Sequence, residues 1–251
     1  NEKGNFYKLF NTLKERHVSG SLDLSSFESG YLTILAQDNE DEKIEWPTEF
    51  YPLDRESITG KVAREYLKKR NITDNQIDYY SIRFAPFGEY ANRIIVPVFN
   101  NKSELVSFVA RDYTGTSKVK VLTPLTGHSK TNIKNQVFNL YNAIETKQLI
   151  IGEGVFDAIS LGLSGVALFG KVPTDIQLAK IINCKPRRVT ICLDKDAQYE
   201  AEKLARQLTL HIEDVRIARL ENKDPNEEDP LKLKQILETA SPLDAYSFYY
   251  A

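Results

Sequence analysis

The spacing of apolar residues changes character several times along this chain. Phe6, Leu9, Phe10 and Leu13 recur at helical spacing and predict a short helix over 4–17. From Ser19 to Glu56 the chain is rich in Ser, Asp and Glu, shows little periodicity and reads as a linker or irregular loop. Ile58, Val62 and Leu67 then fall near one face of an amphipathic helix over about 57–70, with Lys61, Arg64, Lys68 and Lys69 mostly off it. A second helix starts at Thr73, where Thr73 and Gln76 have capping-box spacing: the hydroxyl accepts from the N3 amide while the Gln side chain reaches back. The period then shortens to that of strands. Residues 93–99 and 104–111 predict two strands around the polar turn Asn100–Asn101–Lys102–Ser103, and 119–122 a third. Pro97 marks an edge or a bulge in the first of them.

From Gln148 onward, short apolar runs alternate with helical periods. Strands are predicted at 149–151, 166–169, 189–193 and 215–220, each succeeded by a helix, near 155–163, 174–182, 197–209 and 230–239. Four strand–helix units with nearly all-apolar strands imply a parallel sheet covered on both faces. The fold class is therefore α/β: a Rossmann-like parallel sheet flanked by helices, preceded by a mixed α+β subdomain. The expected divisions are an N-terminal helix and linker (1–56), a basic α+β subdomain (57–146), the α/β unit (147–240) and a tail (241–251). Tyr246, Phe248, Tyr249 and Tyr250 make that tail aromatic, and it is expected to pack back on the core.

Composition narrows the picture. The 251 residues are 41% hydrophobic and 27% charged, with no apolar run near the roughly 20 residues of a membrane helix and no signal peptide. Cys184 and Cys192 are the sole cysteines, and His17, His128 and His211 are scattered, so neither a disulfide framework nor a cysteine-rich zinc site is expected within the chain. A cytoplasmic setting is the natural expectation. There is no methionine, so the sequence is expected to be a piece of something longer. The net charge of −2 hides a segregation. Residues 83–134 carry eight Lys or Arg against three Asp or Glu, whereas carboxylates crowd 37–57 and 221–229. A basic segment beside an acidic one suits an enzyme that holds a phosphate backbone and also binds metal.

Ligands bind beyond the carboxyl ends of parallel strands, so the residues just past each strand of the α/β unit are where chemistry is expected. After the first come Gly152–Glu153–Gly154 and then Asp157, four residues on and so on the same helix face. After the second come Gly170 and Lys171. After the third come Asp194–Lys195–Asp196, and after the fourth Lys223–Asp224–Pro225–Asn226–Glu227. Three of the four strand ends thus bring carboxylates to one rim, a repulsive arrangement unless a cation neutralises it. Oxygen donors without a nearby Cys or His pair select a hard cation, Mg²⁺ or its substitute Mn²⁺. Each piece alone is weak, since an Asp at a helix start is more often a cap; the succession of three is what carries the inference.

The succession E-G-x-x-D, D-x-D and K-D-P-N-E, carried by LIIGEGVFDAISL, ALFGK, VTICLDKDA and VRIARLENKDPNEEDP, resembles the Toprim domain over about 148–240. Toprim is shared by bacterial-type primases, type IA and II topoisomerases and some nucleases. Upstream, the stretch from Ala63 to Asp74, Ile82 to Pro86, Asn92 to Val98, Ser107 to Arg111, Lys118 to Pro124 and Asn139 to Asn142 resembles the corresponding blocks of DnaG-type primases, which the topoisomerases and nucleases lack. KDPNE departs from the cellular KDPDE form and is closer to phage primases. The first ten residues resemble the segment just after a primase zinc ribbon, implying Zn²⁺ only in a preceding domain outside this chain.

The resemblance implies an RNA primer synthase: a DNA-directed RNA polymerase acting on a single-stranded DNA template with ribonucleoside triphosphates, in a bacterial or phage-infected cell, with an RNA–DNA hybrid as product and a replicative helicase as partner. It implies Mg²⁺ ligation by Asp157, Asp194 and Asp196, with Asp224 for a further ion. Glu153 either binds metal or moves a proton. Glu153, Asp194 and Asp196 form the expected catalytic set, and Arg93, Arg111, Lys118, Lys120 and Lys171 the expected nucleotide and nucleic-acid contacts. The alternatives are a Toprim nuclease using the same carboxylates and a catalytically inactive DNA-binding replisome module. No G-x-x-x-x-G-K-[ST] loop is present, so no helicase motor lies within the chain.

Overall fold

The computed structural model describes residues 42–54, 56–124, 131–222 and 224–242. The expected helix at 4–17, the aromatic tail, His17, His128 and Lys223 lie outside the described residues. Two five-stranded sheets stand in sequence. The first is antiparallel, in the order β1 (Tyr51–Pro52), β2 (Arg83–Ala85), β3 (Arg93–Phe99), β4 (Leu105–Asp112), β5 (Val121–Leu122). Helices α1 (Ile58–Lys68) and α2 (Asp74–Tyr79) connect β1 to β2. The Thr73–Gln76 capping box is formed at the start of α2. Pro97 sits beyond the part of β3 that pairs with β2, next to a register shift at Val98–Phe99, which fits a residue with no amide to donate.

Two features of this half differ from the sequence expectation. Part of the supposed linker is structural: Ile44, Phe50 and Leu53 are buried, and β1 pairs with β2, so the subdomain begins before residue 57. Helix α1 also buries a different face. Ala63 and Leu67 are inside, while Ile58 is 81% exposed. Gly60 makes the close approach possible, since a Cβ there would lie 2.6 Å from the Asp54 carbonyl oxygen.

The second sheet has the order β10 (Ser241–Pro242), β9 (Asp214–Ile217), β8 (Arg188–Ile191), β6 (Gln148–Gly152), β7 (Gly165–Ala167). Strands β6 to β9 are parallel, and β10 is antiparallel to β9, so residues 241–242 belong to the sheet and not to a tail. The helices between and after them are α4 (Val155–Ser160), α5 (Asp175–Asn183), α6 (Gln198–Thr209) and α7 (Pro230–Glu238), and α3 (Leu140–Ala143) precedes β6. Leu149, Ile151, Val189, Ile191 and Val215 are 0–1% exposed, as all-apolar strands between two helix layers must be. The chain leaves β6 for β7 on one side and returns to β8 on the other, so the topological switch point lies between β6 and β8.

The halves share one core. Phe84, Ile94, Val96 and Val106 of the first sheet cluster with Phe138, with Phe156 and Ile159 of α4, and with Ala167 of β7. Polar ties reinforce it: the Gln76 side chain donates to the Ile159 carbonyl (3.2 Å) and the Tyr80 hydroxyl to the Gly162 carbonyl (3.3 Å). The two sheets are thereby held in fixed relation, with a cleft between them.

Candidate active site

The switch point is where an open parallel sheet parts its strands and leaves room for a ligand. Glu153 comes directly after β6 and Asp194 lies three residues past β8, so the two carboxylates flank it. Asp157 enters from the first turn of α4, and Asp224 from the loop after β9. The loop is shaped by Glu228, which folds back to accept from the Glu221 amide (2.8 Å), the Asn222 amide and the Asn222 side chain (2.7 Å). Asp224 in turn accepts from the Glu227 amide (3.0 Å) and caps a short 3-10 turn, Pro225–Glu227.

These carboxylates form one electrostatic neighbourhood. Burial, and then the charge on Asp194, raise the Glu153 carboxyl above its ordinary range. Glu153 Oε2 is buried without a hydrogen-bond partner among the described residues. Burial pushes Asp157 up to about 7 despite hydrogen bonds from Gly154 and Asn226, with Asp194 and Asp224 adding to the rise. Asp196 is more open. It pairs with Lys171 at 2.8 Å and holds that ammonium above its usual range, with Glu153 and Asp194 contributing.

Carboxylates raised by one another are the signature of a site that gains from a cation. Among the described residues, no three His, Cys, Asp or Glu side chains converge closely enough to cage one ion. Mg²⁺ is typically held by one or two carboxylates and completes its octahedron with water and substrate phosphates. The donor set is all oxygen, and the orphaned Glu153 Oε2 is a carboxylate atom that a hard cation would satisfy.

The rim opens into a cleft of about 380 Å³ between the two sheets, lined by Glu153, Asp157, Asp224, Arg70, Arg111 and Lys134, with Val109, Val121, Phe156 and Phe169 as apolar wall. Arg111 comes from β4, and its Nε donates to the Tyr66 hydroxyl (3.2 Å). Lys134 donates to the Phe169 carbonyl. Arg70, just past α1, stacks over Tyr66 (5.1 Å) and Phe156 (5.2 Å) and donates to Asn226 Oδ1 (2.8 Å).

The structure therefore brings Glu153, Asp157, Asp194 and Asp224 together, with Arg111 across the cleft and Asp196 and Lys171 on its outer edge. Lys118 and Lys120 are exposed beside β5. Arg93 is corrected. It is 6% exposed, and its terminal nitrogens donate to the carbonyls of Ala110, Lys120 and Val119 and to the Ser117 hydroxyl. A guanidinium engaged in this way clamps the β4–β5 loop and is withdrawn from any phosphate. Asp157 is likewise engaged at both oxygens, from the Gly154 amide (2.8 Å) and the Asn226 side chain (2.7 Å). Arg70 and Lys134 were not among the expected site residues, and Asn226 stood out only as the departure from KDPDE. Arg70 carried one signal, its place in a stretch of family resemblance; the position of Lys134 depends on tertiary contact alone.

No protein-family model matches the chain. The curated DNA primase of Halalkalibacterium halodurans is 26% identical over 185 residues, covering 55% of this chain and 30% of the relative. The chain thus spans less than a third of that relative's length. Among solved structures, a DnaG primase catalytic domain bound to ssDNA is similar with a TM-score of 0.65 at 21% identity, covering 89% of this chain and 83% of that one. The E. coli primase catalytic core matches with a TM-score of 0.63 at 21% identity, over 90% and 83% of the two chains. An Aquifex aeolicus primase structure comprising zinc-binding and RNA polymerase domains gives 0.62 at 20% identity, over 95% and 68%.

Proposed function

The chain has the fold of DnaG-type primase catalytic cores, and from that premise we propose that it is a DNA primase core, joining ribonucleotides on a single-stranded DNA template by metal-dependent nucleotidyl transfer. The observation that carries this reading is the pairing of a carboxylate rim, in which Asp194 acts on Glu153 and Asp194 and Asp224 act on Asp157, with a cleft bearing Arg70, Arg111 and Lys134. Nucleotidyl transfer needs both at once: anions to hold divalent metal and cations to hold the polyphosphate and template.

In this reading Glu153 and Asp194 hold the principal Mg²⁺ or Mn²⁺, Asp224 and Asp196 serve its neighbourhood or a further ion, and Asp157 supports the set from beneath. Once bound, a divalent cation supplies charge neutralisation at the triphosphate and acidification of the attacking 3′-hydroxyl. Arg111 offers the fork geometry that suits bidentate phosphate contact, and Lys134 and Lys171 offer point charge. Lys118 and Lys120, exposed next to the cleft, track the template or the RNA–DNA hybrid. The Glu153 carboxyl, raised by burial and by Asp194, is also suited to move a proton. The apolar wall of Val109, Val121, Phe156 and Phe169 supplies a surface against which a base can pack and exclude water. A replicative helicase as partner belongs to this same proposal.

The test is incubation with ribonucleotides, single-stranded DNA and Mg²⁺ or Mn²⁺, and then sizing of labelled products. Template-dependent RNA products support the proposal. Shortened DNA would mean a Toprim nuclease, and neither product would mean a DNA-binding module without this activity.

A further inference from the structure

The least expected feature of the site is an unbroken polar chain across the interface between the two halves. Arg70 Nη1 donates to Asn226 Oδ1 (2.8 Å), Asn226 Nδ2 donates to Asp157 Oδ1 (2.7 Å), and Asp157 Oδ2 accepts from the Gly154 amide (2.8 Å). It begins on the residue that leaves α1, is locked by stacking on Tyr66 and Phe156, and ends on the amide adjacent to Glu153. Asp157 is 9% exposed, so its bonds are made where water cannot replace them.

We propose that Asn226 is a positioning residue that carries the hold of Arg70 across to the buried carboxylate of Asp157 and so fixes the Glu153 loop against α1. The chemistry demands an amide here. Arg70 offers only donors, and an ionised Asp157 only acceptors. A single group must accept from one and donate to the other, and a carboxamide presents a carbonyl oxygen and an NH₂ for that purpose. A carboxylate at 226, the residue of the KDPDE pattern, would meet Arg70 well but has no donor of its own for Asp157, and faces it across 2.7 Å with like charge whenever both are ionised. Asn226 is therefore a substitution with a role of its own: this chain gives up a possible metal ligand and gains a neutral bridge. Arg70 also lines the cleft.

The proposal rests on Glu153 and Asp194 as metal-holding groups, and its test does not need polymerisation. Mn²⁺ binding is monitored by electron paramagnetic resonance of the free ion, and folding by thermal melting. Outer-shell partners of metal ligands are typically worth about 10- to 100-fold in affinity. Asn226→Asp is expected to weaken Mn²⁺ at least about tenfold and to lower the melting temperature. Asn226→Ala, which breaks the bridge without adding charge, is expected to weaken Mn²⁺ with a smaller loss of melting temperature. The exchanged pair Asn226→Asp with Asp157→Asn again places a donor opposite an acceptor, and is expected to regain the melting temperature and most of the affinity. Arg70→Met combined with Asn226→Ala is expected to lose no more than the larger single loss, because both break one chain. Parental Mn²⁺ affinity in Asn226→Asp, or strictly additive losses in the double variant, overturns the bridge. Failure of the unsubstituted chain to make RNA while these results hold would overturn the primase reading alone.

Discussion

At the scale of single residues, the same side-chain type serves opposite ends according to burial. Arg93 and Arg111 lie on adjacent strands and look alike in sequence, yet one is consumed by four internal acceptors and the other lines the cleft. Hydrogen bonds to charged groups contribute about 1.5–3 kcal/mol. Arg93→Met is therefore expected to cost at least about 2 kcal/mol in urea unfolding, whereas Arg111→Met leaves stability nearly unchanged and weakens nucleotide binding. Equal stability of the two variants would reject the distinction. Glu153 makes the complementary case. Its buried Oε2 lacks a partner among the described residues, and burial and then Asp194 raise its carboxyl, so the ionised group strains the metal-free fold. Glu153→Gln is expected to hold or raise the metal-free melting temperature while reducing incorporation by about 10²-fold or more. A loss of activity accompanied by a large loss of stability would instead make Glu153 a structural residue.

At the scale of elements, the strand ends decide where chemistry can occur and close packing decides whether they form. Gly165 starts β7 directly against α4, where a Cβ would lie 1.9 Å from the Ala158 carbonyl oxygen. Gly165→Ala is expected to destabilise by about 1–3 kcal/mol, measured by denaturant midpoint, because helix and strand must part. A neutral outcome would mean that α4 is free to move. The helices themselves were legible: caps at Thr73 and Thr174 close where Gln76 and Gln177 can reach back. Among elements of two or three residues, β5 and β7 overlap predicted strands, but the others do not. β1, β2 and β10 are too short to show a period of two and exist because a neighbouring strand offers hydrogen bonds.

At the scale of the whole molecule, the two halves set opposing charges across one cleft although the net charge is only −2. Binding of single-stranded DNA is expected to weaken linearly in log–log salt plots, and Lys134→Ala is expected to reduce the slope by about 0.7, one phosphate contact on a single strand. An unaltered slope would remove Lys134 from the interface. Acidity acts on the fold in two senses. The hydrogen bond from Arg216, and then that from Arg188, hold Asp214 below its ordinary range. Its contribution is therefore present above about pH 4 and lost as pH falls through the folded value. Asp157 acts oppositely. Burial lifts it to about 7, so the metal-free protein is expected to lose stability as pH climbs from about 4 to about 7, where the unfolded chain has already released the proton. Asp157→Asn should flatten that decline in melting scans, and a decline of unchanged depth would assign it to another group.

The order of the longer strands and helices, the parallel character of β6 to β9 and the run of carboxylates after those strands were determined by the sequence alone, because hydrophobic period and strand-end chemistry are local properties. The pairing of Glu153 with Asp194 at the switch point, the burial of Arg93, the strand role of residues 51–52 and the Arg70–Asn226–Asp157 chain were decided only in the tertiary structure. Each depends on residues brought together from far apart, as Arg70 and Asn226 are across 156 positions, and on the loss of water that makes a buried polar group take a partner. No local pattern records either condition.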